Sequence, residues 1–265
     1  MDTSNGEPSA DMPGALASEP KTTSASSSRT SVWQLLLDVI ASPGRAFAEI
    51  TRRQGTVWLL PAFIVLASLI IYLVVAAPYT AALAQKQLQA QLATLPPDQA
   101  ETVAQQAQRF VSPVFIIVSG GLTGVVVQAL IWLLVSGILY FGILLAGGDA
   151  TYSAVWAVTP WLFIPEAVRN LVMALWVYMH KALLQYQGLS FLIASGDIQA
   201  DSRNPLFGVL QQIDLFNAWH VVLVYIALRR GLGVSRGGAL VVTVLYVAIM
   251  LGLSALPAVI AGVFG

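Results

Sequence analysis

Glu166 and Arg169 are the charged residues that stand deep inside an otherwise apolar run. They are three positions apart, so a helix would carry them on one face. An ionisable side chain at the centre of a membrane helix costs about 2.5–3.5 kcal/mol on insertion scales, so it is retained either for function or as a pin between helices. Its candidate partners lie further on, where Asp214, Asn217 and His220 open a later apolar segment. If the two segments run antiparallel, counting inward from their shared end sets Arg169 level with Asp214 and Asn217, and Glu166 level with His220. With Asn170 these residues form an expected polar cluster: Glu166, Arg169, Asn170, Asp214, Asn217 and His220. Two chemistries fit it. Paired intramembrane charges fix helix register, and a histidine beside a carboxylate titrates near neutral pH and can serve a proton or solute path.

Other reactive patterns carry less. Gly233-Val-Ser235-Arg-Gly237 matches the GxSxG nucleophile elbow, a motif that works where a strand turns sharply into a helix. Here it sits in a short basic loop between two apolar segments, and Ser235 is better read as the N-cap of the last helix. No HExxH, Walker A, GxGxxG or EF-hand pattern occurs, and two isolated histidines without any cysteine make no convincing metal site. Neither catalysis nor a metal or other cofactor is expected.

The elements that must hold these residues follow from composition. The 265 residues are 57% hydrophobic and 10% charged, with a mean hydropathy of +0.76. Soluble domains carry roughly 25% charged residues, so this chain calls for a non-aqueous solvent. In hydrocarbon each backbone amide must be satisfied within its own helix. The expected fold is all-α, a polytopic transmembrane bundle of about five spans. The net charge is +0 and no long basic block occurs, which leaves nucleic-acid binding without an electrostatic footprint.

Residues 1–30 are small and polar, too poor in apolar side chains to offset ordering entropy, and are read as a disordered tail. Residues 31–55 are read as short interfacial helices, the second starting at Ser42 as cap with Pro43 at its first position. Its face of Ala46, Phe47 and Ile50 is set against either the membrane surface or the protein's own loops. Residues 56–265 form the transmembrane domain. Spans are expected at about 57–77, 113–146, 152–179, 209–228 and 238–263. A helical hairpin broken at Pro96-Pro97 is expected outside the bilayer over 79–110, and a polar loop over 183–208. Pro160 and Pro165 predict kinks in the third span. Gly120 and Gly124 let another helix approach closely, within the monomer first and between copies of a homo-oligomer second. Basic residues at span ends set orientation. With a cytoplasmic N-terminus, Arg45, Arg52, Arg53, Arg229, Arg230 and Arg236 lie inside, and Lys86, Arg109, Lys181 and Arg203 lie outside.

Several short motifs resemble the prokaryote-type members of the Yip1-domain membrane proteins. Pro43-Gly-Arg-Ala46-Phe47-Ala-Glu-Ile50 is similar to their entry helix. Tyr152-Ser-Ala154, with Pro165 further along, is similar to their central segment. Asp214-Leu-Phe216-Asn-Ala-Trp219, then Leu223, Ser235-Arg236 and Ala239, is similar to their last two spans. The resemblance implies a five-span bundle with a cytoplasmic N-terminal region. Eukaryotic members bind Rab-type small GTPases and act in vesicle traffic, but the Asp-Leu-Tyr-Gly-Pro signature of that branch is not found here, which argues against GTPase binding. The expectation is therefore a non-enzymatic, multi-pass integral membrane protein that organises membrane or recruits partners, with the lipid bilayer and other membrane proteins as its contacts, and the cell membrane as its place if the source is prokaryotic. The rival is a small-solute or ion permease subunit that uses the polar cluster.

Overall fold

The computed structural model describes residues 31–264, so the expected disordered tail of residues 1–30 lies outside the described residues. Helix α1 (Val32–Ala41) begins with a capping box, in which Ser31 accepts from the Gln34 amide and the Gln34 side chain accepts from the Ser31 amide. Helix α2 (Pro43–Arg53) starts at Pro43, as expected. Ser42 does not cap it through its side chain. That hydroxyl accepts from Arg45 at 3.0 Å, and the Ser42 amide is committed to closing α1 on the Asp38 carbonyl at 2.7 Å. The face of α2 bearing Ala46, Phe47 and Ile50 is buried within the protein, with Phe47 against Gly231.

Helix α3 (Leu59–Leu92) runs through the first expected span and well beyond it. The stretch after Pro78 is rich in Ala and Gln, good helix formers, so the helix continues where a separate hairpin arm was foreseen. The second arm is α4 (Pro97–Ala107), which buries no residue. Helix α5 (Pro113–Leu145) is one uninterrupted crossing of 33 residues, ~50 Å at 1.5 Å per residue.

The third span is two helices, α6 (Tyr152–Leu162) and α7 (Ile164–His180), broken at Phe163. Pro165 has no N–H to offer the Trp161 carbonyl, so the α-helical ladder cannot pass through this point. After a 3-10 turn (Ser190–Ile193) and the short α8 (Ile198–Ser202) comes α9 (Pro205–Gln211). Helix α10 (Leu215–Ile226) continues as a π turn (Ala227–Gly231), and α11 (Arg236–Phe264) completes the described chain. Over the fourth expected span the helix is broken: α9 meets α10 at 71°, and the Asp214 carboxylate caps α10 by accepting from the Asn217 amide at 2.8 Å.

Four helical segments among the described residues, with α6 and α7 taken together as one, are long and apolar enough to cross a membrane, and a fifth crossing is reached when the bent α9–α10 pair counts as one. Helix α5 lies between α3 and α11. A Cβ added at Gly124 would meet Leu69 of α3 at 2.9 Å, and one at Gly142 would meet Val242 of α11 at 2.8 Å. The small residues of α5 thus serve packing inside the monomer. Polar cross-links are sparse: Ser136 donates to Thr159 between α5 and α6 at 2.8 Å, and Asn170 donates to Ser68 between α7 and α3 at 3.3 Å.

Candidate functional site: an intramembrane charge cluster beside a cleft

Helix α7 starts at the Phe163 break, so Glu166 and Arg169 occupy its first two turns, in mid-span between Tyr152 and His180. Helix α10 packs along α7, and its cap residue Asp214 meets Arg169 with Nη2 to Oδ2 at 3.2 Å. Arg169 Nη2 also donates to Gln187 Oε1 at 2.8 Å, from the loop after α7. Its Nη1 stands 3.9 Å from Glu166 Oε2, one turn back on the same helix. The Arg169 and Asp214 side chains are 14% and 15% exposed, whereas that of Glu166 is 35% exposed. A guanidinium with two close acceptors and a second carboxylate nearby fixes α7, α10 and the intervening loop in one register.

His220 belongs to a different arrangement from the one its position suggested. Its imidazole is fully engaged, with Nδ1 at 2.8 Å from the Leu162 carbonyl and Nε2 at 2.6 Å from the Tyr246 hydroxyl. The carbonyl can only accept, so Nδ1 carries hydrogen. In the neutral ring Nε2 then accepts from Tyr246 of α11. His220 thereby ties the carbonyl at the α6–α7 break to α10 and α11, and neither of its ring nitrogens bonds a carboxylate. Asn170 turns away from the cluster to Ser68. Asn217 donates its amide to the Gln212 carbonyl at 2.8 Å, bracing the α9–α10 bend. The structure thus joins Glu166, Arg169 and Asp214, adds Gln187, and makes His220 with Tyr246 a second polar link.

Two of these partners escaped the sequence reading. Tyr246 lies ~15 Å into α11 from Arg236, and His220 lies ~17 Å from Gly231 at the matching end of α10. Counting from the basic loop between them, as was done for Arg169 and Asp214, would have brought them level. Gln187 carried no comparable signal, since a loop residue has no register.

A cleft of about 630 Å³ opens beside the cluster, lined by residues of α5, α7, α10 and α11 with the α9–α10 bend. Glu166, Arg169, Asp214 and His220 border it, as do Gln128, Tyr246 and the rings of Phe163 and Phe216. Among the described residues no three His, Asp or Glu side chains converge in a metal-binding group.

The family-motif residues serve the frame. Pro43 opens α2, and Phe47 is buried against Gly231, where an added Cβ would lie 3.0 Å from that of Phe47. Tyr152 starts α6 and meets Tyr140 edge to face, Pro165 is buried at the head of α7, and Trp219 packs half-buried on the core. Ser235 Oγ accepts from the Gly238 amide at 3.1 Å, which is N-cap geometry for α11, and a π turn rather than a strand precedes it. The nucleophile-elbow context is missing.

The arginines gather at one end of the bundle. Helix α2 packs on the π turn that carries Arg229 and Arg230, and Ser153 at the start of α6 donates to Gln54 just after α2 at 3.0 Å. The Glu49 carboxylate accepts from Arg53 and Arg52 there, and the Arg53 hydrogen bond, aided by both positive charges, holds its pKa below the ordinary carboxylate value.

No curated protein and no solved structure shows a significant match to the chain. The family model of the Yip1 domain matches residues 37–257, from within α1 to near the end of α11. A match over that length, on a bundle of four to five membrane-crossing helices, shows that this multi-pass integral membrane protein belongs to the Yip1 domain family.

Proposed function

We propose that the protein is a non-enzymatic organiser of the cell membrane, which acts on the bilayer through α1 and recruits membrane partners to its arginine-bearing end. One observation carries this reading. Helix α1 is apolar on two opposite faces. Leu35 and Val39 are buried against the bundle, while Trp33 and Leu37, 65% and 67% exposed, with Ile40, face outward. A ten-residue helix is ~15 Å long and cannot cross ~30 Å of hydrocarbon. An outward apolar face beside a cluster of arginines suits a helix lying in one leaflet at headgroup depth. Because the other face is fixed to the bundle, the helix is held there as a wedge. With the N-terminal region cytoplasmic, the wedge and its arginines meet the leaflet that carries anionic lipid, as the bias of basic residues favours.

Reconstitution tests the reading. The full chain in phosphatidylcholine vesicles containing anionic lipid should narrow or tubulate them. The double substitution W33E/L37E should abolish this while leaving the melting temperature in detergent unchanged, because neither side chain is buried. Equal remodelling by the variant, or none by the parent chain, overturns the proposal.

A second reading, a solute or ion permease subunit, is favoured by the partial exposure of Glu166 in the cleft. The chain has no cysteine, so a single cysteine at position 166 tests it directly. Labelling by a membrane-impermeant maleimide supports an aqueous path; complete protection excludes one.

A further inference from the structure

The ionisable groups that border the cleft are unequally partnered. Two carboxylates, Glu166 and Asp214, face one guanidinium. Arg169 is committed to Asp214 and Gln187, at 3.2 and 2.8 Å. Glu166 is left with a contact of 3.9 Å and, among the described residues, accepts no hydrogen bond. Gln128 of α5 also lines the cleft; its side-chain nitrogen is buried without a partner, and its carbonyl oxygen, which accepts no hydrogen bond among the described residues, is the amide atom left for a guest. Phe163, Phe216 and Tyr246 also line the cleft and bring ring surface to it. Such rings attract a cation brought over their faces.

We infer that the cleft is a binding site for the primary ammonium group of a membrane-soluble amphiphile, with Glu166 and Gln128 as acceptors and the apolar side chains of α5 and α11 holding its hydrocarbon part. Leu134 of α5 and Leu253 of α11 line the cleft and are exposed on the outside of the bundle, so a tail leaves between these helices towards lipid. At about 630 Å³ the cleft falls within the usual range of small-molecule sites, roughly 300–1,000 Å³. A carboxylate group is a poor guest, because Arg169, the guanidinium at the site, is already held by Asp214 and Gln187. The ammonium has two natural sources, a free alkylamine or the headgroup of an aminolipid, and both present the same donors. This inference stands apart from the wedge proposed for α1 and survives or fails without it.

The test uses the full chain in phosphatidylcholine nanodiscs, titrated calorimetrically with hexylammonium chloride, with hexanoate as the anionic control. In a second arm phosphatidylethanolamine is added to the nanodiscs, and its retention relative to phosphatidylcholine is read by native mass spectrometry. Saturable binding of hexylammonium, retention of phosphatidylethanolamine, or both supports the site, and the arm that responds identifies the source. E166Q preserves shape and should weaken binding tenfold or more, and Q128L should weaken it several-fold, each with an unchanged melting temperature. The inference is overturned if neither ammonium compound binds, if hexanoate binds as well as hexylammonium, or if E166Q and Q128L bind like the parent chain. Should E166Q fail to fold, Q128L alone decides.

Discussion

Removing Arg169 puts the register of α7 and α10 to a quantitative test. The guanidinium has two acceptors, Asp214 at 3.2 Å and Gln187 at 2.8 Å, and the Glu166 carboxylate stands 3.9 Å away. In R169A two carboxylates remain near one another, with Asp214 only 15% exposed. Breaking a buried pair by removing one member costs about 3–5 kcal/mol. D214N deletes the charge but keeps the α10 cap, because Asn caps as well as Asp, so it reports the pair without the helix start. Q187A removes one hydrogen bond to a charged group and should cost about 1.5–3 kcal/mol. In R169A/D214N the stranded Asp214 charge is gone, so the double loss should fall short of the summed single losses by about 1–2 kcal/mol. The assay is reversible unfolding in mixed micelles of mild and denaturing detergent, followed by tryptophan fluorescence. A shortfall below about 0.5 kcal/mol would mean that the two sites act independently, and the clamp would be refuted.

Four further outcomes are expected. Y246F leaves His220 Nε2 without its donor and should cost about 1–3 kcal/mol, whereas H220F, which also orphans the Leu162 carbonyl, should cost more in the same unfolding assay. G142A drives a methyl to 2.8 Å from Val242 and should destabilise by about 1–3 kcal/mol, with V242A in the same chain restoring most of the loss. Glu49 is a carboxylate whose folded pKa is depressed, so its stabilisation is present above the ordinary carboxylate range and is lost as pH falls through the depressed value; E49Q should flatten the acid side of a stability–pH profile. With five crossings, reporters fused after Gly265 and before Met1 should fall on opposite sides of the membrane, and a common side removes one crossing.

The residues of this chain dictate a membrane bundle by themselves, because long uncharged apolar runs leave the backbone no solvent but its own helix. A bundle of four to five crossings, the single long α5 and the pairing of Arg169 with Asp214 could be read from span ends, since helices crossing one slab share a common ruler. Ser235 as a cap was legible for a similar reason, its hydroxyl bonding an amide three residues on. The rest was decided by tertiary contact. Asp214 starts a helix rather than lying within one, because its carboxylate is shared between the Asn217 amide and Arg169, and α9 folds away as a result. His220 bonds Leu162 and Tyr246 instead of a carboxylate because the proline-broken span exposes a carbonyl on the α10 side. Which face of α2 meets protein and which face of α1 is left outward depended on the π turn that seats Phe47 against Gly231. Register along a helix axis is written in the order of residues; rotation about that axis is set by what the neighbouring helices leave unfilled.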